Sequence, residues 1–249
     1  MTRAASIASS ARWRAIACSF LVLVVGGACA RQDTSLTQGQ STGPSAAALA
    51  PDASADDAGG RRADGAHPDA TDAQGSPPLQ AAILRGDRRA FQALLDAGAD
   101  PTTAATNGNT AMHVAAMQSD ARYLEALLAG GAAVDTPNAK NRETPLFNAL
   151  EARNDTHIRV LLDAGAAVDA TDAFGATLLH KAARINATAW VVRFLEAGTD
   201  PTARDRTGNT FQPSFFRARD AVLSTDARRD RETVREWLLA RGIPVEDRP

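Results

Sequence analysis

The chain of 249 residues is long enough for one domain of ordinary size together with a tail. Aromatic residues make up 5% of the sequence and include a single tyrosine, which excludes a core filled by large aromatic side chains. The formal net charge of -2 gives no indication of a nucleic-acid partner, and two cysteines cannot form a disulfide framework.

Residues 1–28 have the layout of a secretory signal peptide. Arg3, Arg12 and Arg14 give the first segment a positive charge without any acid, and an apolar run of about 11 residues follows at 15–25. At about 1.5 Å of rise per residue, this run is too short to span a bilayer. We therefore expect an exported protein from which residues 1–28 are removed.

The cleavage site allows two interpretations. Residues 27–29, Gly-Ala-Cys, are similar to a bacterial lipobox, in which the cysteine is acylated and becomes the first residue of the mature chain. Gly26 departs from that motif, which usually has leucine at this position. The alternative is A-x-A cleavage after Ala30, which would leave a soluble periplasmic protein. We favour lipidation of Cys29, because cysteine is rare in this chain and this one ends the apolar segment.

The segment that follows is predicted to be a disordered linker over residues 29–75. It consists mainly of Ala, Asp, Ser, Gly, Pro, Gln and Thr, with no aromatic residue, and cannot bury enough surface to offset its ordering entropy. Its r.m.s. reach of roughly 35–40 Å would hold a domain clear of a membrane. Removing the three arginines of residues 1–28 changes the net charge from -2 to -5 and leaves Cys29 as the only cysteine. No intramolecular disulfide can then form, so packing alone must hold the fold.

A repeated Leu-Leu-x-x-Gly pattern fills the rest of the chain, with Phe-Leu in its fourth copy. The copies end at Gly98, Gly131, Gly165, Gly198 and Gly242, and the glycines are spaced by 33, 34, 33 and 44 residues. The predicted repeat domain is 76–249, with units of about 76–104, 105–138, 139–171, 172–204 and 205–249. The last unit carries an insertion of 11 residues.

These units resemble the ankyrin repeat family, whose pattern is G-x-T-P-L-H-x-A-A followed by a helix ending in L-L-x-x-G-A. Residues 108–116 read G-N-T-A-M-H-V-A-A and residues 175–183 read G-A-T-L-L-H-K-A-A. Residues 143–149 give E-T-P-L-F-N-A, with Arg142 in place of the glycine, and 77–82 form a degenerate first copy. The resemblance implies an all-α solenoid of about five helix-turn-helix units with β-turn fingers. Stacking buries the apolar faces that each unit exposes alone.

The resemblance also implies structural positions. His113 and His180 take the histidine of T-P-L-H, which in the family links its threonine to the adjacent finger. The second helix of a unit ends at a glycine in the left-handed conformation, at Gly98, Gly131, Gly165 and Gly198. Leu128 and Leu162 are predicted to be buried in second helices, and His157 is predicted to lie on a helix surface.

No motif in the sequence indicates catalysis. Nucleophile elbows, P-loops and H-E-x-x-H are absent, and no spacing among the histidines and the mature cysteine fits a metal site. Asp100, Asp135, Asp169 and Asp200 each follow the terminal glycine of a unit by two or four residues, as turn residues do. We therefore expect a protein that is not an enzyme, with no cofactor, no metal and no small-molecule substrate.

The family resemblance implies a contact surface on the finger tips and the exposed edge of the first helices. An aromatic anchor ringed by polar groups is typical of a binding hot spot, whereas an isolated apolar residue on a surface is common and carries no function. Three candidates, Met117, Phe174 and Ile185, are apolar at positions predicted to be exposed. Mapped by phase, the candidate partner-binding residues are Phe174, Met117, Ile185, Asn107, Asn109, Lys140, Asn141, Arg184 and Arg206.

The last unit departs most from the pattern. Residues 210–216 read T-F-Q-P-S-F-F, in which two phenylalanines take the place of the small Ala-Ala pair, and 217–235 mix six arginines with four acids. A polar cap that closes the stack is one interpretation, and a partner-specific surface is the other.

Taken together, the sequence predicts a protein-binding module in the bacterial cell envelope, anchored only by lipid and facing the periplasm. Ala30 follows the lipidated cysteine and is not aspartate, which by resemblance to bacterial sorting favours the outer membrane. An immunity or inhibitor protein against a toxin or phospholipase effector that acts in the periplasm is one expected function. An envelope scaffold or stress adaptor with an endogenous partner is the other. In both cases the partner is another protein and not nucleic acid.

Overall fold

The computed structural model describes residues 68–217 and 220–246. The predicted signal peptide, Cys29 and the predicted linker up to residue 67 lie outside the described residues. No helix in the described ranges combines the length and apolar character needed to cross a bilayer.

Short helices follow one another in pairs along the described chain, and the all-α repeat class is confirmed. The first helices of the five units are α1 (Pro78–Arg85), α3 (Ala111–Met117), α5 (Pro145–Glu151), α7 (Leu178–Arg184) and α9 (Gln212–Phe215). The second helices are α2 (Arg88–Asp96), α4 (Ala121–Ala129), α6 (Asp155–Asp163), α8 (Thr188–Glu196) and α10 (Thr225–Leu239). The only β-pairing in these ranges is a single bridge between Thr171 and Thr177.

Local chemistry at the helix ends explains where these helices start and stop. Proline opens α1 and α5, where the first N–H groups have no intrahelical partner. Most second helices follow a residue whose side chain accepts a main-chain N–H of the first turn. These capping residues are Asp87 for α2, Asp120 for α4, Asn154 for α6 and Ser224 for α10. Such caps replace the hydrogen bonds that the first turn of a helix lacks.

Glycines end the second helices in the left-handed conformation. The φ angles are 82° at Gly98, 82° at Gly131, 89° at Gly165 and 93° at Gly198. A Cβ added at any of these four positions would meet no atom within 4 Å. Glycine is therefore favoured here by backbone conformation and not by lack of space, since the left-handed conformation costs other residues about 1–2 kcal/mol.

Helices of successive units stack directly on one another. First helices pack on first helices from α1 through α9, while α4 packs on α6 and α8 on α10. Small side chains that are fully buried allow the close approach of first helices: Ala82, Ala115, Ala149 and Ala182. Apolar side chains from every unit thus form one continuous core.

The second-helix leucines are arranged differently from the prediction. Leu127 and Leu161 are fully buried, whereas Leu128 and Leu162 are only half-buried against the core. The prediction was wrong by one residue, because the preceding leucine of each pair points into the stack. His157 is also not on the surface: its side chain is fully buried on α6.

The first unit starts earlier than the predicted linker boundary at residue 75. Residues 68–76 already form a turn, in which the Asp72 carboxylate accepts the main-chain N–H groups of Gln74 and Ser76. The carbonyl of Gly75 accepts the N–H of Thr106 at 3.2 Å. This segment is therefore the finger of the first unit, and part of the predicted linker belongs to the fold.

The last unit keeps the stack but changes its helices. α9 is a single turn of four residues, and Phe215 is buried at the position that alanine takes in the other units. The bulk of the phenylalanine is accommodated because the first helix is so short. α10 has 15 residues and buries Val234 and Leu238 against α8. Its outward positions carry charged residues, as a terminal repeat requires.

Candidate protein-binding surface

Consecutive fingers are joined into one edge by main-chain hydrogen bonds. We call residues 105–109, 138–143, 172–176 and 205–209 the finger edge. The N–H groups of one finger donate to carbonyls of the preceding finger: Ala139 to Gly108 at 3.0 Å, Ala173 to Asn141 at 2.7 Å, and Arg206 to Phe174 at 2.8 Å. The edge is therefore a continuous and ordered surface, although each finger is only a turn.

Each finger is also held from within by an Asp or Asn side chain. The Asp172 carboxylate accepts the N–H groups of Phe174 at 2.7 Å and Ala176 at 2.9 Å. The Asp205 carboxylate accepts the N–H and hydroxyl groups of Thr207, and the hydroxyl contact is the main reason that the pKa of Asp205 lies below its usual value. The amide oxygen of Asn138 does the same for the third unit. The side chains at the tips are thus presented by rigid turns.

His113 and His180 join their own helices to the next finger. The N–H of Thr110 donates to Nδ1 of His113 at 3.2 Å, so Nε2 carries the proton and donates to the carbonyl of Glu143 at 2.9 Å. His180 makes the same contacts with Thr177 and with the carbonyl of Asn209, at 3.1 and 3.0 Å. Burial lowers the pKa of His113. These contacts fix the tautomer and position the finger edge against the first helices.

Two glutamines that the sequence analysis did not single out make equivalent links. Gln80 stands at the phase of His113, and its Nε2 donates to the carbonyls of Thr103 and Asn109, both at 2.9 Å. Gln212 donates to the carbonyl of Pro244 at 3.2 Å and accepts the N–H of Glu246 at 2.9 Å. Gln80 could have been found from its phase. Gln212 is displaced by one residue from that phase, and α9 begins one residue later in its unit than the other first helices do.

A buried ion pair lies beneath the finger edge. The Lys181 ammonium is 2.9 Å from a Glu143 oxygen and 2.7 Å from a Glu151 oxygen, and only 6% of the lysine side chain is exposed. Glu143 also accepts the side-chain amide of Asn141 at 3.0 Å. The Glu143 carboxylate is therefore engaged within the stack and less available to a partner, whereas Glu151 pairs with Lys181 from an exposed position.

The predicted partner-binding residues differ in exposure. Phe174 is 64% exposed at its finger tip and Met117 is 40% exposed at the end of α3. Ile185 is half-buried and packs against the core, so the prediction that it is exposed was wrong. It follows α7 directly, at the C-cap of that helix. The exposed polar candidates are Asn107, Lys140, Arg184 and Arg206.

The remaining two candidates are half-buried and already hydrogen-bonded. The amide oxygen of Asn109 accepts from Asn138 at 2.6 Å, and Asn141 donates to Glu143. The fingers bring Asn141, Phe174 and Arg206 next to one another through their main chains. Met117 is not part of this group, because it lies on a helix end rather than on a finger.

A cleft of about 200 Å³ opens beside the finger edge between the fourth and fifth units. Polar and cationic side chains line it: His180, Arg184, Asp205, Asn209, Ser214 and Arg217. The volume of the cleft suits one or two side chains of a partner. Within the ranges that the structure describes, no three His, Cys, Asp or Glu side chains are placed to hold a metal ion.

Comparison with known proteins identifies one family profile and many similar solved structures. A family profile described as Ankyrin repeats (3 copies) matches residues 61–138 and 120–205. The crystal structure of the ankyrin repeat domain of Bcl-3, described as a unique member of the IkappaB protein family, is similar with a TM-score of 0.58 and 27% sequence identity. The similarity covers 69% of this chain and 72% of that chain.

Proposed function

Because this chain belongs to the ankyrin repeat family, whose fold is a protein-interaction scaffold, we propose that it is a non-enzymatic protein-binding module tethered in the bacterial cell envelope. The observation that carries the proposal is Phe174. A large aromatic side chain is 64% exposed on a finger whose backbone is fixed by hydrogen bonds on both sides. Exposed aromatic anchors on rigid surfaces are typical of binding hot spots.

The tether is proposed from the sequence of residues 1–30. A diacylated or triacylated Cys29 would hold the chain stably in a membrane, because each buried CH₂ contributes about 0.8 kcal/mol and more than one chain is present. Cys29→Ser should then release the protein or leave an uncleaved precursor. Fractionation with intact-mass measurement tests this. A soluble wild-type chain that starts at Arg31, without the mass of lipid, would contradict the anchor and leave the binding function unaffected.

We further propose that the bound partner is a toxin or phospholipase effector acting in the periplasm, so that the chain is an immunity or inhibitor protein. A rigid edge that presents one aromatic side chain suits tight occupation of a single target. The alternative is a scaffold or stress adaptor with an endogenous partner. An effector gene next to this one supports the first function, and its absence supports the second.

Binding is tested by capture from envelope extract with matched variants. Phe174→Ala should weaken capture by about 2 kcal/mol or more, as hot-spot aromatics do, without lowering the thermal transition. Leu239→Ala is the control, since this residue is comparably exposed but lies on α10 away from the finger edge. Equal capture by the wild type and both variants would contradict Phe174 as the anchor. Loss of the thermal transition in Phe174→Ala would show that it supports the fold instead.

A further inference from the structure

Exposed cations accompany Phe174 along the finger edge and the adjoining cleft. These cations are Lys140, Arg142, Arg184, Arg206 and Arg217. None of them forms an ion pair with a residue that the structure describes. The main-chain N–H of Arg206 is bonded directly to the carbonyl of Phe174. Lys140 and Arg142 flank Asn141, whose carbonyl accepts from the finger of Phe174. Arg184 and Arg217 line the cleft.

The nearby carboxylates do not neutralise these cations by direct pairing. Asp205 lines the cleft together with Arg184 and Arg217, and Asp172 lies on the preceding finger. Both carboxylates accept hydrogen bonds from the turns of their own fingers. Glu143 is engaged by the buried Lys181 and by Asn141. The acids thus hold the fingers in shape, while the cationic groups extend from them. The whole chain carries a formal net charge of -2, so this positive surface is a local feature of an acidic protein.

We propose that the finger edge of the third to fifth units docks an acidic segment of the partner protein. Carboxylates of that segment pair with Arg184, Arg206 and Arg217, and an apolar side chain of the segment packs on Phe174. Guanidinium groups suit this pairing, because they bind carboxylates through two parallel hydrogen bonds. Complementary charge also selects against basic partners and speeds association. The inference rests on the proposed protein-binding function and specifies an acidic segment as the part of the partner that is bound.

The cleft favours a polypeptide over a membrane surface. It opens between two units, and its polar lining includes Asn209 and Ser214 beside the two arginines. A single carboxylate side chain of a peptide can enter such a space and be met by both guanidinium groups. A flat sheet of lipid headgroups would contact only the finger tips.

Fluorescence anisotropy with defined peptides tests this on the full-length chain purified in mild detergent. The probe is fluorescein-Asp-Glu-Phe-Glu-Asp, and the comparison peptide has lysine at each acidic position. We expect the acidic peptide alone to bind, with an affinity that falls as salt rises. Arg184→Ser and Arg206→Ser should each weaken binding by about fivefold or more, and Arg184→Lys should restore part of the loss. Arg159→Ser, an exposed arginine on α6 away from the edge, is the matched control and should bind as the wild type does.

Three results would overturn the inference. The lysine peptide could bind as well as the acidic one, or binding of the acidic peptide could be unchanged in Arg184→Ser and Arg206→Ser. Phosphatidylglycerol vesicles could also bind as tightly as the peptide and be lost in the same variants, which would assign the surface to anionic lipid. Capture from envelope extract is read separately. If it depends on Phe174 while the acidic peptide fails to bind, the proposed function stands and this inference falls.

Discussion

Two fully buried histidines show how differently one residue type is used along this stack. His113 on α3 is hydrogen-bonded at both ring nitrogens. His157 on α6 is as deeply buried, yet no hydrogen bond of ordinary geometry satisfies either of its ring nitrogens within the described part of the chain. Burial lowers the pKa of His157. The carbonyl and carboxylate of Asp120 and the carboxylate of Glu125 on α4 act in the opposite direction, but their effect is smaller. The neutral imidazole is the form that the fold accommodates.

Stability is therefore expected to fall under mildly acidic conditions. The folded-state pKa of His157 lies below the ordinary value of 6.5. Well above pH 6.5 the imidazole is neutral in the folded and the unfolded chain, and its titration does not reduce the free energy of unfolding. As the pH falls below 6.5, the unfolded chain takes up the proton first, and stability is lost until the folded-state pKa is reached. Burial lowers the pKa of His113 as well, so it contributes in the same direction.

His157→Leu isolates this contribution. An unsatisfied buried polar group costs about 1–3 kcal/mol, so the variant should be more stable than the wild type by about 1 kcal/mol at pH 7.5. The gain should be larger at pH 5.5. His113→Leu is the matched control and should be destabilised, because it removes two satisfied hydrogen bonds. Urea denaturation at both pH values measures these effects, and a destabilised His157→Leu would show that the imidazole contributes favourably.

Arg142 holds a conformation that other fingers assign to glycine. Its φ is 60°, and the residues at the same phase are Gly108, Gly175 and Gly208, with φ of 85°, 73° and 79°. Arg142→Gly should stabilise the chain by about 0.5–1 kcal/mol, because glycine adopts this region without a Cβ penalty. Chemical denaturation measures the change.

The reverse substitution, Gly175→Ala, should lower the free energy of unfolding by about 1 kcal/mol. The added Cβ would meet nothing closer than 3.7 Å, so only the strain of the left-handed backbone remains.

At the scale of the element, the second helices bury one leucine of each pair more deeply than the other. Leu127→Ala on α4 should cost about 2–5 kcal/mol, because it opens a cavity in the core. Leu128→Ala should cost clearly less, since its side chain is only half-buried. The pair Leu161 and Leu162 on α6 repeats the comparison. Denaturation midpoints of the four variants measure it, and equal losses within each pair would contradict the assigned orientation of the helices.

First helices and fingers depend on each other for their hydrogen bonds. His113, His180 and Gln80 each donate to a carbonyl roughly one unit further along the chain. Lys181 on α7 likewise reaches back to Glu143 and to Glu151 on α5. No unit satisfies these groups alone, so the elements gain their order from the stack rather than from intrinsic helix propensity.

On the scale of the whole molecule, stability should behave as a sum over units and their interfaces. α10 closes the stack by covering α8, and Val234 and Leu238 are fully buried in that contact. A chain truncated before Thr225 should unfold at a lower temperature and self-associate, because the apolar face of α8 would be exposed. Calorimetry and light scattering measure this. A truncated chain as stable and monodisperse as the whole would mean that α10 is an accessory to the stack and not its cap.

The repeat, its phase and most of the helix ends could be predicted from local sequence. The 33-residue spacing, the prolines at Pro78 and Pro145 and the terminal glycines act within a few residues of the backbone they shape. The same phase also located Phe174 and Arg206, because the finger tip lies at a fixed place in every unit. The finger of the first unit within residues 68–76 was missed, since a segment of Asp, Gln and Gly has the composition of a linker.

The burial of individual side chains, in contrast, depends on contacts between units and could be read only from the folded chain. The sequence pattern predicted His157 and Ile185 to be exposed, yet His157 is buried, Ile185 is half-buried, and the Lys181 side chain is covered by the preceding unit. That cover comes from residues about 30 or more positions away, as the Lys181–Glu143 pair shows. Burial and ion pairing depend on how units stack, and the period of a repeat carries no information about the side chains that meet across the interface.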